Sequence, residues 1–121
     1  MRALIVDDSA LSRMMICKKV KMLVPDIQIV QGVNGQEAVD KYNSSREGDP
    51  FDIIFIDCLM PVKDGLEALE EIREVDKDID IVMLTANIQE KIKDRALSLG
   101  CTAFLNKTQG DAMLPKLLGV N

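Results

Sequence analysis

The chain has 121 residues, 47% hydrophobic and 29% charged, the size and balance of one soluble globular domain with a single continuous core. A net charge of −5 argues against nucleic acid as a direct partner, since phosphate contact wants a basic patch, but leaves room for a DNA-binding neighbour domain. Histidine is absent, which excludes Ser-His and Cys-His catalytic pairs and His-ligated zinc.

Apolar runs alternate with helical patterns along the chain. Ala3 to Val6 is a short run that ends in Asp7-Asp8-Ser9, residues suited to capping a helix. In the helix that follows, Met15, Ile16, Val20 and Leu23 share one arc at 100° per residue, and Met14 lies off it. Pro25-Asp26 ends that helix, and Ile27 to Val30 reads as a second strand. Asn34-Gly35 opens a second helix with Gly35, Ala38, Val39 and Tyr42 on one side, before a polar loop from Ser44 to Pro50. The run Ile53-Ile54-Phe55-Ile56 then delivers Asp57 to the end of a buried strand, followed by a turn marked by Pro61 and Gly65.

A third helix from about Gly65 aligns Leu66, Leu69 and Ile72. Ile79 to Leu84 is a fourth strand ending at Thr85-Ala86-Asn87, and a fourth helix places Ile88, Ile92, Ala96 and Leu99 on one stripe, with Gly100 at the C-cap. Thr102 to Leu105 is a short fifth strand leading to Asn106-Lys107-Thr108. The last helical pattern, from about Asp111 to Leu118, contains Pro115, so it must start late, bend or be short. Repeats, low-complexity tracts and linkers are absent from the sequence, so residues 1–121 read as one domain.

Cys17, Cys58 and Cys101 are far apart and odd in number, and read as buried small hydrophobes in a reducing compartment. The first apolar run is too short for a signal-peptide core and no segment reaches membrane-span length. A cytoplasmic protein without membrane insertion is expected.

Near-continuous apolar strands alternating with helices predict a doubly wound α/β fold, a five-stranded parallel sheet covered on both faces. Right-handed crossovers bring the strand C-termini to one edge, where open α/β sheets bind ligands. That edge gathers Asp7, Asp8, Asp57 and Thr85, with Lys107 just after the fifth strand. Three close carboxylates repel one another and call for a cation, and all-oxygen ligands favour Mg²⁺. Formal charges of about −3 from the acids and +3 from Mg²⁺ and Lys107 balance, and an acyl phosphate on Asp57 would add about one negative charge for Thr85 and Lys107 to answer.

This combination, with Leu59-Met60-Pro61 and Gly65 after Asp57, resembles the receiver domain of two-component response regulators over the whole chain, most of all its single-domain CheY-type members. The resemblance implies a flavodoxin-like sheet of order 2-1-3-4-5 flanked by five helices. It implies Asp57 as phospho-acceptor, with Asp8, Asp57 and the Leu59 backbone carbonyl on Mg²⁺ and Asp7 acting through water. Thr85 and Lys107 would hold phosphoryl oxygens, while Thr85 and Phe104 would form a switch that remodels the face of helix four, strand five and helix five. The phosphoryl donor would be a phosphohistidine on a sensor histidine kinase or histidine phosphotransfer protein, and a downstream protein target would read the result. Such a chain is no enzyme toward other substrates; it catalyses its own aspartyl phosphorylation and dephosphorylation. Met14 is a candidate contact for the donor. Leu59 and Asn87 occupy the two variable positions that help set phosphoryl lifetime, and Leu59, with no group to orient water, predicts a slow one. Lys107 is followed by Thr108 where the family usually has proline, and a trans bond is expected because a cis one would cost about 2.5–4 kcal/mol.

Other readings compete. A phosphorylation-independent interaction module could share the fold, and the chain could be the receiver fragment of a longer regulator or hybrid kinase. A flavin or nucleotide site would need a glycine- or hydroxyl-rich phosphate loop where Asp7-Asp8-Ser9 stands. An aspartyl-intermediate hydrolase lacks a general base.

Overall fold

The computed structural model describes residues 1–86, 88–107 and 111–120. The expected features at Asn87 and at the Lys107–Thr108 bond lie outside them.

Five strands, β1 (Arg2–Val6), β2 (Gln28–Gly32), β3 (Ile53–Asp57), β4 (Asp80–Thr85) and β5 (Ala103–Asn106), alternate with helices α1 (Ala10–Leu23), α2 (Gly35–Ser45), α3 (Gly65–Val75), α4 (Glu90–Ser98) and α5 (Leu114–Leu117). All paired strands run parallel, in the order β2-β1-β3-β4-β5. The expected doubly wound α/β architecture is therefore present.

Side chains alternate across each strand, and here both sets are apolar. Leu4, Val6, Ile54, Ile56, Ile81, Met83 and Phe104 pack with Ala38, Tyr42, Ala68, Leu69, Ile72 and Ala96 beneath α2, α3 and α4. On the opposite face Ala3, Ile5, Ile53, Phe55, Val82, Leu84 and Leu105 pack with Ile16, Val20 and Leu114 from α1 and α5. All five residues of β3, the central strand, are buried. Each large side chain removed from water there contributes about 1.5–3 kcal/mol.

Helix ends follow local chemistry. Ser9 caps α1 by accepting from the Ser12 N–H, and Asn34 caps α2 by accepting from the Glu37 N–H. Asp64 and Glu67 form a reciprocal capping box on α3. Gly100, at φ +97, closes α4: its N–H donates to Leu97 O and the next N–H, of Cys101, donates to Ala96 O. Pro115 stands in the first turn of α5, which a 3₁₀ turn at Asp111–Met113 precedes, so this segment is short, as its proline required.

Several expectations need correction: Cys17 is only partly buried, unlike Cys58 and Cys101, and β4 and β5 each run one residue later than Ile79–Leu84 and Thr102–Leu105. Met15 is 47% exposed; β-branched Ile16 and Val20 hold the core side of α1. Ile88 precedes α4 and is exposed, because the helix begins only at Glu90. The second strand lies later than Ile27–Val30, since pairing with β1 sets Arg2 against Gln28 and Val6 against Gly32.

Candidate functional site

The C-terminal ends of β1, β3, β4 and β5 deliver Asp7, Asp57, Thr85 and Lys107 to one edge of the sheet. Asp7 follows β1 and is fully buried, Asp57 is the last residue of β3 and nearly buried, and Asp8 faces solvent. One carboxylate oxygen from each of Asp7, Asp8 and Asp57 lies within 4.8 Å of the others. The three predicted acids are thus brought together.

Lys107 reaches both buried acids, its Nζ 2.6 Å from Asp7 Oδ2 and 3.2 Å from Asp57 Oδ2. Asp7 Oδ2 is buried and meets the Lys107 ammonium as a close ion pair. Its partner Oδ1 accepts from the Ser9 N–H at 2.9 Å. Burial pushes the Asp57 carboxyl above its usual range; Lys107 opposes the rise, and the charge of Asp7 adds to it. Burial alone would lower the Lys107 ammonium, but hydrogen bonding and attraction to Asp7 and Asp57 raise it. The acids therefore outnumber the charge that faces them. An all-oxygen donor set of three carboxylates facing one ammonium fits a hard divalent cation.

Thr85 ends β4, is buried, and its carbonyl accepts from the Lys107 N–H at 2.8 Å. This bond joins two predicted site residues across the β4–β5 ladder. Phe104 is buried on the α2–α3–α4 side of the sheet, among Met83, Ala96 and Cys101. It is packed there as a core residue. Leu59 projects into solvent at the start of the β3–α3 turn, and Met14 is 62% exposed on α1.

The β3–α3 turn is held tightly. Gly65 N–H donates to Cys58 O at 2.9 Å, and a Cβ at Gly65 would stand 2.1 Å from Asp57 O. Lys63 O accepts from the Gly35 N–H at 2.8 Å, which joins the turn to the start of α2. Val62, at φ +74, sits in a three-residue turn closed by Lys63 N–H to Pro61 O at 3.0 Å, a strained geometry for a β-branched residue. Next to Asp57, Cys58 is fully buried, and its thiol is pushed up to about 12 by that burial first and by the Asp57 charge second.

Sequence reasoning missed Arg13. Its Nη1 donates to the backbone carbonyl of Asp7 at 2.6 Å and its Nε to Gln31 Oε1 at 3.2 Å. The available signal was a lone arginine in the first turn of α1, where side chains lean back toward the strand ends.

Comparison with known proteins agrees with this geometry. The sequence matches the response regulator receiver domain family over residues 3–118. It is 37% identical over 114 residues to the chemotaxis protein CheY of Bacillus subtilis, covering 93% of this chain and 91% of that protein. It is 33% identical over 111 residues to the peroxide stress-activated histidine kinase mak2 of Schizosaccharomyces pombe, covering 87% of this chain but only 5% of the kinase. Among solved structures, the chemotaxis protein CheY4 of Vibrio cholerae superposes with a TM-score of 0.81 at 29% identity, covering 98% of this chain and 95% of that one. No helix among the described residues is long and apolar enough to cross a membrane. With this fold, these strand-end residues and a match along nearly its whole length, the chain belongs to the response regulator receiver domain family.

Proposed function

We propose that residues 1–121 act as one receiver unit, a phosphorylation-controlled switch whose acceptor is Asp57. The observation that supports this best is the position of Asp57, at the end of a buried strand beside Asp7 and Asp8 and 3.2 Å from Lys107 Nζ. The donor would be a phosphohistidine on a sensor histidine kinase or histidine phosphotransfer protein, necessarily on another chain or another segment, because this sequence holds no histidine. An Asp57 carboxylate oxygen attacks phosphorus; the new P–O bond forms as the P–N bond breaks, and the imidazole leaves with the electron pair.

Asp8, Asp57 and the Leu59 carbonyl would hold Mg²⁺, with Asp7 acting through water. When bound, that ion supplies positive charge against the phosphoryl oxygens. Lys107 moves from its carboxylate partners onto a phosphoryl oxygen, and the Thr85 hydroxyl donates to another. Thr85 and Phe104 form the switch, and their shift alters the α4–β5–α5 face for a downstream protein. Met14 contributes to donor docking. The chain does no chemistry on other substrates, and its place is the cytoplasm.

Incubation with acetyl phosphate and Mg²⁺ tests this reading. The expected result is about one phosphoryl group per chain, lost in Asp57→Asn. No incorporation into the folded wild type would instead favour a phosphorylation-independent module. A second reading, that this chain is the receiver section of a longer signalling protein, is favoured by the match to a small part of a much longer kinase.

A further inference from the structure

Every polar atom of Asp7 has a partner, and Oδ2 meets the Lys107 ammonium. The Asp7 N–H donates to Gly32 O at 3.1 Å, its Oδ1 accepts from the Ser9 N–H, and its carbonyl accepts from Arg13, which leaves Oδ2 toward the acidic cluster. That carbonyl belongs to the peptide joining Asp7 to Asp8. Its plane therefore sets the direction from which both carboxylates depart. Within that plane the peptide oxygen is fixed by the guanidinium, whose other contact, Gln31 Oε1, anchors it to the end of β2. Ser9 N–H holds the Asp7 carboxylate and the α1 cap holds the chain beyond Asp8, but neither bonds the peptide oxygen between the two acids.

We infer that Arg13 is a positioning residue for the cation site: by holding the Asp7–Asp8 peptide it aims both acids at the ion. The inference rests on the cation reading of Asp7, Asp8 and Asp57 above. Arginine suits the task because its planar fork spans two acceptors on different strands, which a lysine cannot do with the same geometry. Groups that orient metal ligands from behind change metal affinity by about 10–100-fold when removed.

Two other roles make opposite forecasts. A purely structural tie between α1 and the strand ends would lower stability and leave ion affinity alone. A purely electrostatic role would make the guanidinium repel the ion, so its removal would tighten binding.

The test is a Mg²⁺ titration of the full chain followed by backbone amide NMR at Asp8, Cys58 and Leu59, run alongside thermal unfolding without the ion. Arg13→Met should weaken Mg²⁺ binding about tenfold, and Arg13→Lys should recover part of the loss by offering one donor to the carbonyl. If Arg13→Met does not fold, Arg13→Gln takes its place. Unchanged affinity with a lower melting temperature, or tighter binding, overturns the inference while leaving the cation site standing. A wild-type chain that shows no Mg²⁺ response overturns the cation reading, and this inference with it.

Discussion

Replacing Gly65 with alanine adds one methyl group where β3 hands over to α3, and the surroundings leave no room for it. The new Cβ would lie 2.1 Å from Asp57 O and 3.0 Å from Asp57 C, both backbone atoms that cannot swing aside. Ordinary carbon–oxygen contacts begin at about 3.3 Å, so the end of β3 and the start of α3 must part by about 1 Å. Alanine favours a helix over glycine by up to about 1 kcal/mol, whereas overpacking a tight site costs about 1–3 kcal/mol. The clash should win, with a net loss of about 1–2 kcal/mol of stability. The functional cost should be larger in proportion, because the displaced atoms carry Asp57, the proposed acceptor: a shift of about 1 Å in a reacting group slows a reaction by about 100-fold. Acetyl phosphate incorporation in the presence of Mg²⁺, read beside thermal unfolding, measures both. Gly48→Ala, in open space, is the control and should change neither. Gly65→Ala that incorporates phosphate at the wild-type rate and melts at the wild-type temperature would refute the steric argument.

Leu59→Asn should speed loss of the phosphoryl group by about threefold to tenfold, since an amide there can orient water; this corresponds to about 0.7–1.4 kcal/mol in barrier, and an unchanged decay rate counts against it. Met14→Glu should slow transfer from a histidine donor and spare acetyl phosphate; equal slowing with both would remove Met14 from the docking surface. Far from the site, the Tyr42 hydroxyl donates to Asp76 Oδ2 at 2.7 Å, so Tyr42→Phe should cost about 1–2 kcal/mol in urea unfolding without altering phosphorylation. Asp76 itself is held below the usual carboxylate range: burial opposes this, but bonds from Tyr42 OH and from the Asp78 and Ile79 N–H groups outweigh it. Its contribution is therefore complete above the unfolded value of about 4 and lost as pH falls through the lower folded one. The stability gap between wild type and Asp76→Asn should close on acidification, and a gap undiminished near about pH 2 would contradict this sign.

The strand ends were readable because their chemistry broke an apolar pattern. Asp57 after Ile53–Ile56, and Asp7 after Ala3–Val6, are acids at the ends of runs with no polar residue, and the parallel topology then collects them. Helix faces were harder. Helix α1 carries Leu11, Met14, Met15 and Met22 on its exposed side and Ile16 and Val20 on its buried side; spacing separated Met14 from Ile16 and Val20 but misplaced Met15. Branched side chains won the core and flexible methionines were left outside. The shift of β2 has a similar cause: an edge strand is placed by its one neighbour, and Gln31 and Gly32 join it through register with β1 although neither is a strong strand former. Arg13 escaped notice because a lone arginine in a first helical turn is a weak signal, and its bond to the Asp7 carbonyl leaves no mark in the pattern of side chains. The pairing of Lys107 with Asp7 as well as Asp57 required knowing how far a side chain from the sheet's far strand extends across it.

With Asp57 as the proposed acceptor, the buried Cys58 would give the site chemical selectivity. Sulfur is the stronger nucleophile once ionised, and here it adjoins the aspartate on which an electrophilic phosphorus would arrive. Strand alternation turns it into the core beside Ala68 and Leu69, and a thiol held near 12 contains almost no thiolate at neutral pH. Oxygen is left without a rival at the strand end. The same seclusion protects the neighbouring sulfur from oxidants, so a change in redox conditions would leave the acceptor's surroundings as they are.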